Sequence, residues 1–141
     1  MLLYPRHYVR FLDGREGNFA VVAFLPGDLA ARMPTLSTEV RIGRSHALKL
    51  WEKHNLGYAD LGVIQRAIDN GWCTKSREAA LDFLYIDSAT PPRRFVLGIK
   101  AAYGGEETWV STLHRSDEHQ IRRRLRRARE ADKLLRAHVW T

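Results

Sequence analysis

Two histidines stand where acid–base chemistry on a phosphodiester would need them. His54 closes Trp51-Glu52-Lys53-His54, and His114 follows Ser111-Thr112-Leu113. Imidazole titrates near neutrality, so it serves as base or acid without a metal. Cleaving RNA through its own 2′-hydroxyl needs such a base and a proton donor for the departing 5′-oxygen. It also needs cations for the charge that builds on phosphorus. Lys53, Lys100 and Arg115 are the candidate cations, with arginine offering a two-pronged fork to phosphate oxygens. Thr112 sits two residues before His114, so strand alternation puts Val110, Thr112 and His114 on one face. Lys100 falls on a neighbouring strand and meets Thr112 across the hairpin if the register allows it.

The elements that must position these groups run from Phe95 to the C-terminus. Residues 95–103 are an apolar strand, Gly104-Gly105 suit a tight turn, and residues 108–115 return as a second strand. Ser116 reads as a helix N-cap, with Asp117 and Glu118 at the positive end of the helix dipole. The helix that follows carries six arginines from Arg122 to Arg129. Ile121, Leu125, Ala128, Ala131, Leu135 and His138 recur at three- and four-residue steps, which predicts one long helix to His138. Arg122, Arg123, Arg126 and Arg127, with Lys53, are its candidate nucleic-acid contacts. Six positives in two turns repel one another, and a phosphate partner relieves that repulsion.

Earlier in the chain, residues 8–12 and 19–25 read as two strands of an N-terminal β-hairpin. Residues 45–55 form a helix capped by Ser45 and closed by Gly57, with His46, Leu50 and His54 on one side. His46, in its first turn, is expected to face solvent. A second helix covers 58–68, ending at Gly71. Helix and strand compete over 76–86, with strand favoured from 81. Pro91 and Pro92 mark a loop. Strands and helices are segregated, so the fold class is α+β in a single domain of 141 residues, with 1–40 as a hairpin extension and 41–141 carrying the helices, sheet and basic C-terminal helix.

The formal charge is +7 and the pI about 10.0, a balance that points to a polyanionic partner. Seven arginines and one lysine against four acids place over half of the excess after Ser116. Cys73 is the one cysteine, which excludes an intrachain disulfide and a cysteine zinc site and reads as a core residue. No Gly-rich phosphate loop, HExxH or GxSxG occurs, so the expectation is no cofactor and no metal. Apolar runs fall short of the roughly 18 to 20 residues of a membrane span, and the N-terminus lacks a signal-peptide pattern. A cytoplasmic protein without a membrane partner is expected. Trp51, Trp72, Trp109 and Trp140 offer stacking surfaces for bases, with core packing as their commoner use.

Arg41-Ile42 through Glu52-Lys53-His54, Asp60-Leu61-Gly62-Val63-Ile64 through Asn70-Gly71, the strand Arg94-Phe95-Val96-Leu97-Gly98-Ile99-Lys100, and Trp109-Val110-Ser111-Thr112-Leu113-His114-Arg115 together carry a resemblance. The chain from about Arg41 to Arg129 resembles the barnase/EndoU/colicin/RelE-like ribonucleases, their phage-associated and toxin branches most. The resemblance implies a metal-independent endoribonuclease that cuts tRNA or mRNA and leaves a cyclic phosphate. It implies His54 as base or acid, Lys53 and Lys100 at phosphate, Thr112 and His114 lining the cleft, and Arg115 holding phosphate. An acidic antitoxin is the expected protein partner. Two other readings fit the same charge: a non-catalytic nucleic-acid-binding protein of a phage or mobile element, and a protein-interaction or inhibitor module whose basic helix docks on an acidic groove.

Overall fold

A computed structural model describes residues 5–88 and 90–140, with the side chains of residues 5 and 6 left aside. The fold is α+β. One seven-stranded sheet has the order β1-β2-β6-β5-β4-β3-β7, and five α-helices accompany it among the described residues. The strands are β1 (Phe19–Phe24), β2 (Glu39–Gly43), β3 (Trp72–Arg77), β4 (Ala80–Asp87), β5 (Arg93–Ala102), β6 (Glu107–Ser116) and β7 (Leu134–Arg136). The helices are α1 (Pro5–Leu12), α2 (Gly27–Arg32), α3 (Arg44–His54), α4 (Tyr58–Asn70) and α5 (Glu118–Glu130). Neighbouring strands are antiparallel except β2 and β6, which run parallel. No helix among the described residues is long and apolar enough to cross a membrane.

The sheet is covered on both faces. Phe83, Tyr85, Phe95, Leu97, Ile99 and Leu113 pack with Leu50, Ile64 and Ile68 in the main core. On the opposite face Leu84 and Val96 meet Ile121 and Leu125 of α5. This explains why Phe95 to Ile99 are buried one after another with no polar alternation. A central strand with helices on both faces has no solvent side.

The N-terminal β-hairpin expected over 8–12 and 19–25 does not form. Residues 8–12 belong to α1, which Pro5 opens at its first position. Tyr8 and Phe11, three apart, are both buried while Val9 is exposed, so the helical period wins over the strand period. The partner of β1 is β2, reached across α2. Residues 20–42 supply Ala20, Leu29, Met33, Val40 and Ile42 to the same core as the later strands.

Helix boundaries also differ from expectation, and the open choice over residues 76–80 is decided. Gly43, not Ser45, precedes α3, and Asn55 ends it in the left-handed conformation at φ 52°. Residues 76–80 are not helical: β3 and β4 pair there as a hairpin. Asp117, not Ser116, caps α5 by accepting the Gln120 N–H at 2.8 Å. The long C-terminal helix to His138 stops at Glu130, and Asp132 at φ 54° turns the chain back so that β7 pairs with β3. The outer edge of β3 has open hydrogen-bonding groups, and pairing there outweighs one more helical turn.

Gly71 ends α4 for a reason other than a left-handed turn. A Cβ at this position would lie 2.8 Å from the carbonyl oxygens of both Ala67 and Leu84. The bare backbone lets α4 pass directly into β3 beside β4.

Candidate nucleic-acid site

The site begins where a strand leaves the sheet. β2 pairs with β6 at Val40↔Thr108 and Arg41↔Trp109, then turns at Gly43 into α3. Beyond Trp109, no strand pairs with this edge of β6 among the described residues. The gap between α3 and that edge is a cleft of about 490 Å³. Ser45, His46, Lys49 and His54 line it from α3, and Ser111, Thr112 and His114 from β6. Helical spacing delivers His46 and His54 to the same cleft, eight residues apart.

A bulge shapes the β6 wall. Gly98 pairs with Thr112, but Ile99 pairs with Val110, so Ser111 is an extra residue on β6. The simple alternation that placed Val110 with Thr112 and His114 therefore fails. Val110 is buried in the main core, while Thr112 and His114 line the open face. Ser111 joins them, with its Oγ only 2.9 Å from where a Cβ on Gly98 would stand.

A second groove of about 570 Å³ continues from the first across the α5 face of the sheet. Ser111, Thr112 and His114 line both hollows. Lys100, Arg77, Asp82 and Arg124 line the second. Lys100 and Thr112 thus share one groove, although Lys100 pairs with Trp109 and not with Thr112.

The electrostatics favour an anion. No acidic residue lines the α3–β6 cleft. Burial pushes the His46 imidazole below its ordinary range. A hydrogen bond to the Val110 backbone opposes this, and the charges of Lys49, His54 and Lys100 reinforce it. His46 accordingly stays neutral at neutral pH. His114 Nδ1 lies 2.9 Å from the Arg115 carbonyl oxygen. A carbonyl only accepts, so Nδ1 carries the proton and Nε2 of the neutral ring keeps its lone pair. Burial also raises the Asp82 carboxyl above its usual range, against the pull of Arg124, Arg77 and His114. Cys73 is buried and its thiol is pushed up to about 12, mainly by burial, which fits a core residue and not a nucleophile.

The structure brings His54, Thr112, His114 and Lys100 to these two joined hollows. Lys53 and Arg115 are exposed and line neither. Arg115 pairs with Phe95, whose side chain points into the main core, so Arg115 sits on the other face from His114. Arg123 and Arg127 line a third groove beside α5, Arg126 is exposed outside all three, and Arg122 is ion-paired to Glu118 at 2.6 Å. His46, expected in solvent, is half-buried in the cleft. Its i, i+4, i+8 spacing with Leu50 and His54 was the available signal. Ser111 and Arg124 had none, because a bulge and a helix-to-sheet crossing place them. Trp109 packs edge-on to Phe19, and Trp72 and Trp140 cluster around His138, so three of the four tryptophans have partners within the protein.

No protein-family model, curated protein or solved structure matches this chain.

Proposed function

We propose that this protein is a metal-independent endoribonuclease of toxin type, cleaving RNA by attack of the 2′-hydroxyl on the adjacent phosphate. One observation carries the reading: His46, His54 and His114 line a single cleft with Lys49 and no carboxylate, at the uncovered edge of β6. Three imidazoles and an ammonium suit proton transfer around a phosphate.

The role of His114 follows from its hydrogen bond, and the other roles from which hollow each residue lines. His114, with Nδ1–H tied to the Arg115 carbonyl, presents Nε2 as the base that takes the 2′-hydroxyl proton. The 2′-oxygen bonds to phosphorus as the bond to the 5′-oxygen breaks. His54, at the open end of α3, gives its proton to that departing oxygen. The products are a 2′,3′-cyclic phosphate and a 5′-hydroxyl. Lys49, Lys100 and Arg124 balance charge on the phosphoryl oxygens, and Thr112 and Ser111 offer hydroxyl donors.

The test is purified protein with tRNA and mRNA in the presence of EDTA, followed by 3′-end analysis. Discrete cuts ending in cyclic phosphate are expected, with His114→Ala and His54→Ala each at least about 100-fold slower. RNA left intact by wild type, with undiminished binding, refutes catalysis and leaves a nucleic-acid-binding protein.

A further inference from the structure

The third groove, about 340 Å³, lies between α5 and strands β3 and β4. It shares Ser76, Asp82 and Arg124 with the second groove, as the second shares Ser111, Thr112 and His114 with the cleft. The three hollows are therefore continuous along one path over the α5 face of the sheet and around the β6 edge. Each has its own cations. The cleft has Lys49, the second groove Lys100 and Arg77, and the third Arg123, Arg127 and Lys133.

Arg123, Arg127 and Lys133 of the third groove have no carboxylate partner among the described residues, whereas Lys75, which also lines it, donates to the Arg32 and Glu78 carbonyls. Asp82 is the one acid lining it, and Arg124, Arg77 and His114 already act on that carboxyl. Arg123 donates to the neutral Gln120 amide at 2.6 Å, and Arg127 and Lys133 are in no ion pair among the described residues. Arg122, Arg126 and Arg129 of α5 do not line this groove. Arg122 is paired to Glu118, and Arg126 and Arg129 are exposed outside this groove. A single small anion would occupy one hollow. A run of joined hollows, each with unpaired cations, matches a ligand with one negative charge per repeating unit.

We infer that the α5 groove, through Arg123, Arg127 and Lys133, is a track for single-stranded RNA leading to the α3–β6 cleft. This rests on the ribonuclease reading for its direction but not for its binding. The strand passes along Ser111 and Asp82, whose side-chain ends close over the buried Gly98 at 2.9 Å and 3.1 Å from where a Cβ would stand. Specific residues on one flank of α5 hold the strand, while the rest of the arginine run does not.

The experiment measures binding of a fluorescent 2′-O-methyl oligouridylate of about eight nucleotides, which cannot be cleaved, across a salt series. Three proteins are compared: wild type, Arg127→Gln with Lys133→Gln, and Arg129→Gln. Each single-strand phosphate contact contributes about 0.7 to the slope of log affinity against log salt. The double variant is expected to have a slope shallower by about 1.4 and to bind on the order of 10-fold more weakly at 0.1 M salt. Arg129→Gln is expected to match wild type. If Arg129→Gln loses half as much as the double variant, the charge is diffuse and the track is refuted. Absence of wild-type binding refutes it also. Binding with the expected slopes but no cleavage of unmodified RNA keeps the track and rejects the catalytic reading. Cleavage with equal slopes in all three proteins does the reverse.

Discussion

Gly98 lies buried beneath Ser111 and Asp82, which line the groove, and replacing it by alanine separates groove geometry from fold stability. A Cβ there would stand 2.9 Å from Ser111 Oγ and 3.1 Å from Asp82 Oδ1. Carbon–oxygen contacts relax at about 3.5 Å, so each oxygen must withdraw by roughly half an ångström. Both are side-chain ends and not backbone. Ser111 is exposed on the bulge and rotates away, and Asp82 shifts within a groove open to solvent. A strained rotamer costs about 0.5–1.5 kcal/mol. Alanine recovers about 0.5–1 kcal/mol relative to glycine in a strand. The net change in stability is expected to stay within about 1 kcal/mol, a few degrees in Tm. The effect on chemistry is larger, because the methyl group pushes the Ser111 and Asp82 side chains outward into the groove that Thr112 and His114 also line, and so shifts the phosphate proposed to lie there. A displacement of about 1 Å costs on the order of 100-fold in rate. The assay pairs a thermal melt with initial rates on a short RNA, and adds Ser111→Gly to Gly98→Ala to remove the closer contact. The expected result is a near-native Tm with a rate loss that the second substitution only partly restores. Wild-type cleavage by Gly98→Ala would refute the placement of substrate along Ser111 and Asp82. A Tm loss above 10 °C, well outside the few degrees expected, would show that the glycine serves packing instead.

Other expectations follow from the same structure. Leu125→Ala removes the α5 side chain packed with Leu84 and Val96 and should cost about 2–4 kcal/mol by urea denaturation, with hydrogen exchange of α5 rising most. Asp117→Ala should cost about 1 kcal/mol, because the Gln120 N–H loses its acceptor. Burial, then the charge of Arg136, lower the His138 pKa, and its Nε2 accepts the Ile86 N–H at 3.1 Å. Its unfolded form binds a proton more readily, so stability is full above about pH 6.5 and falls as pH drops below it. His46 adds a second contribution of the same sign. His138→Phe should flatten part of that acid loss in urea midpoints measured between pH 5 and 7, and an unchanged pH slope would contradict the burial argument. Cys73 should resist a thiol reagent at pH 8 in the folded protein and react at once in denaturant.

The α+β class, α3, α4, β5, β6 and the basic stretch of α5 were legible in the sequence. Each rests on local physics: a 3.6-residue apolar repeat, a long apolar run, a pair of glycines or a run of like charge. His46, Leu50 and His54 share a helical side whatever the helix packs against, so their common side was readable, but His46 was expected in solvent and not in a cleft. Three things only the tertiary structure decided. Residues 8–12 satisfy both a strand and a helix pattern, and it is the burial of Tyr8 and Phe11 against the later core that selects the helix. The chain after Asp132 keeps a helical apolar spacing, yet the open edge of β3 captures it as β7. The bulge at Ser111 exists only between two paired strands, and it moves Val110 into the core while Ser111, Thr112 and His114 face the groove. Register, edges and bulges are properties of pairs of segments far apart in the chain. A single segment's pattern specifies its own period, but not the partner that decides which face meets the site.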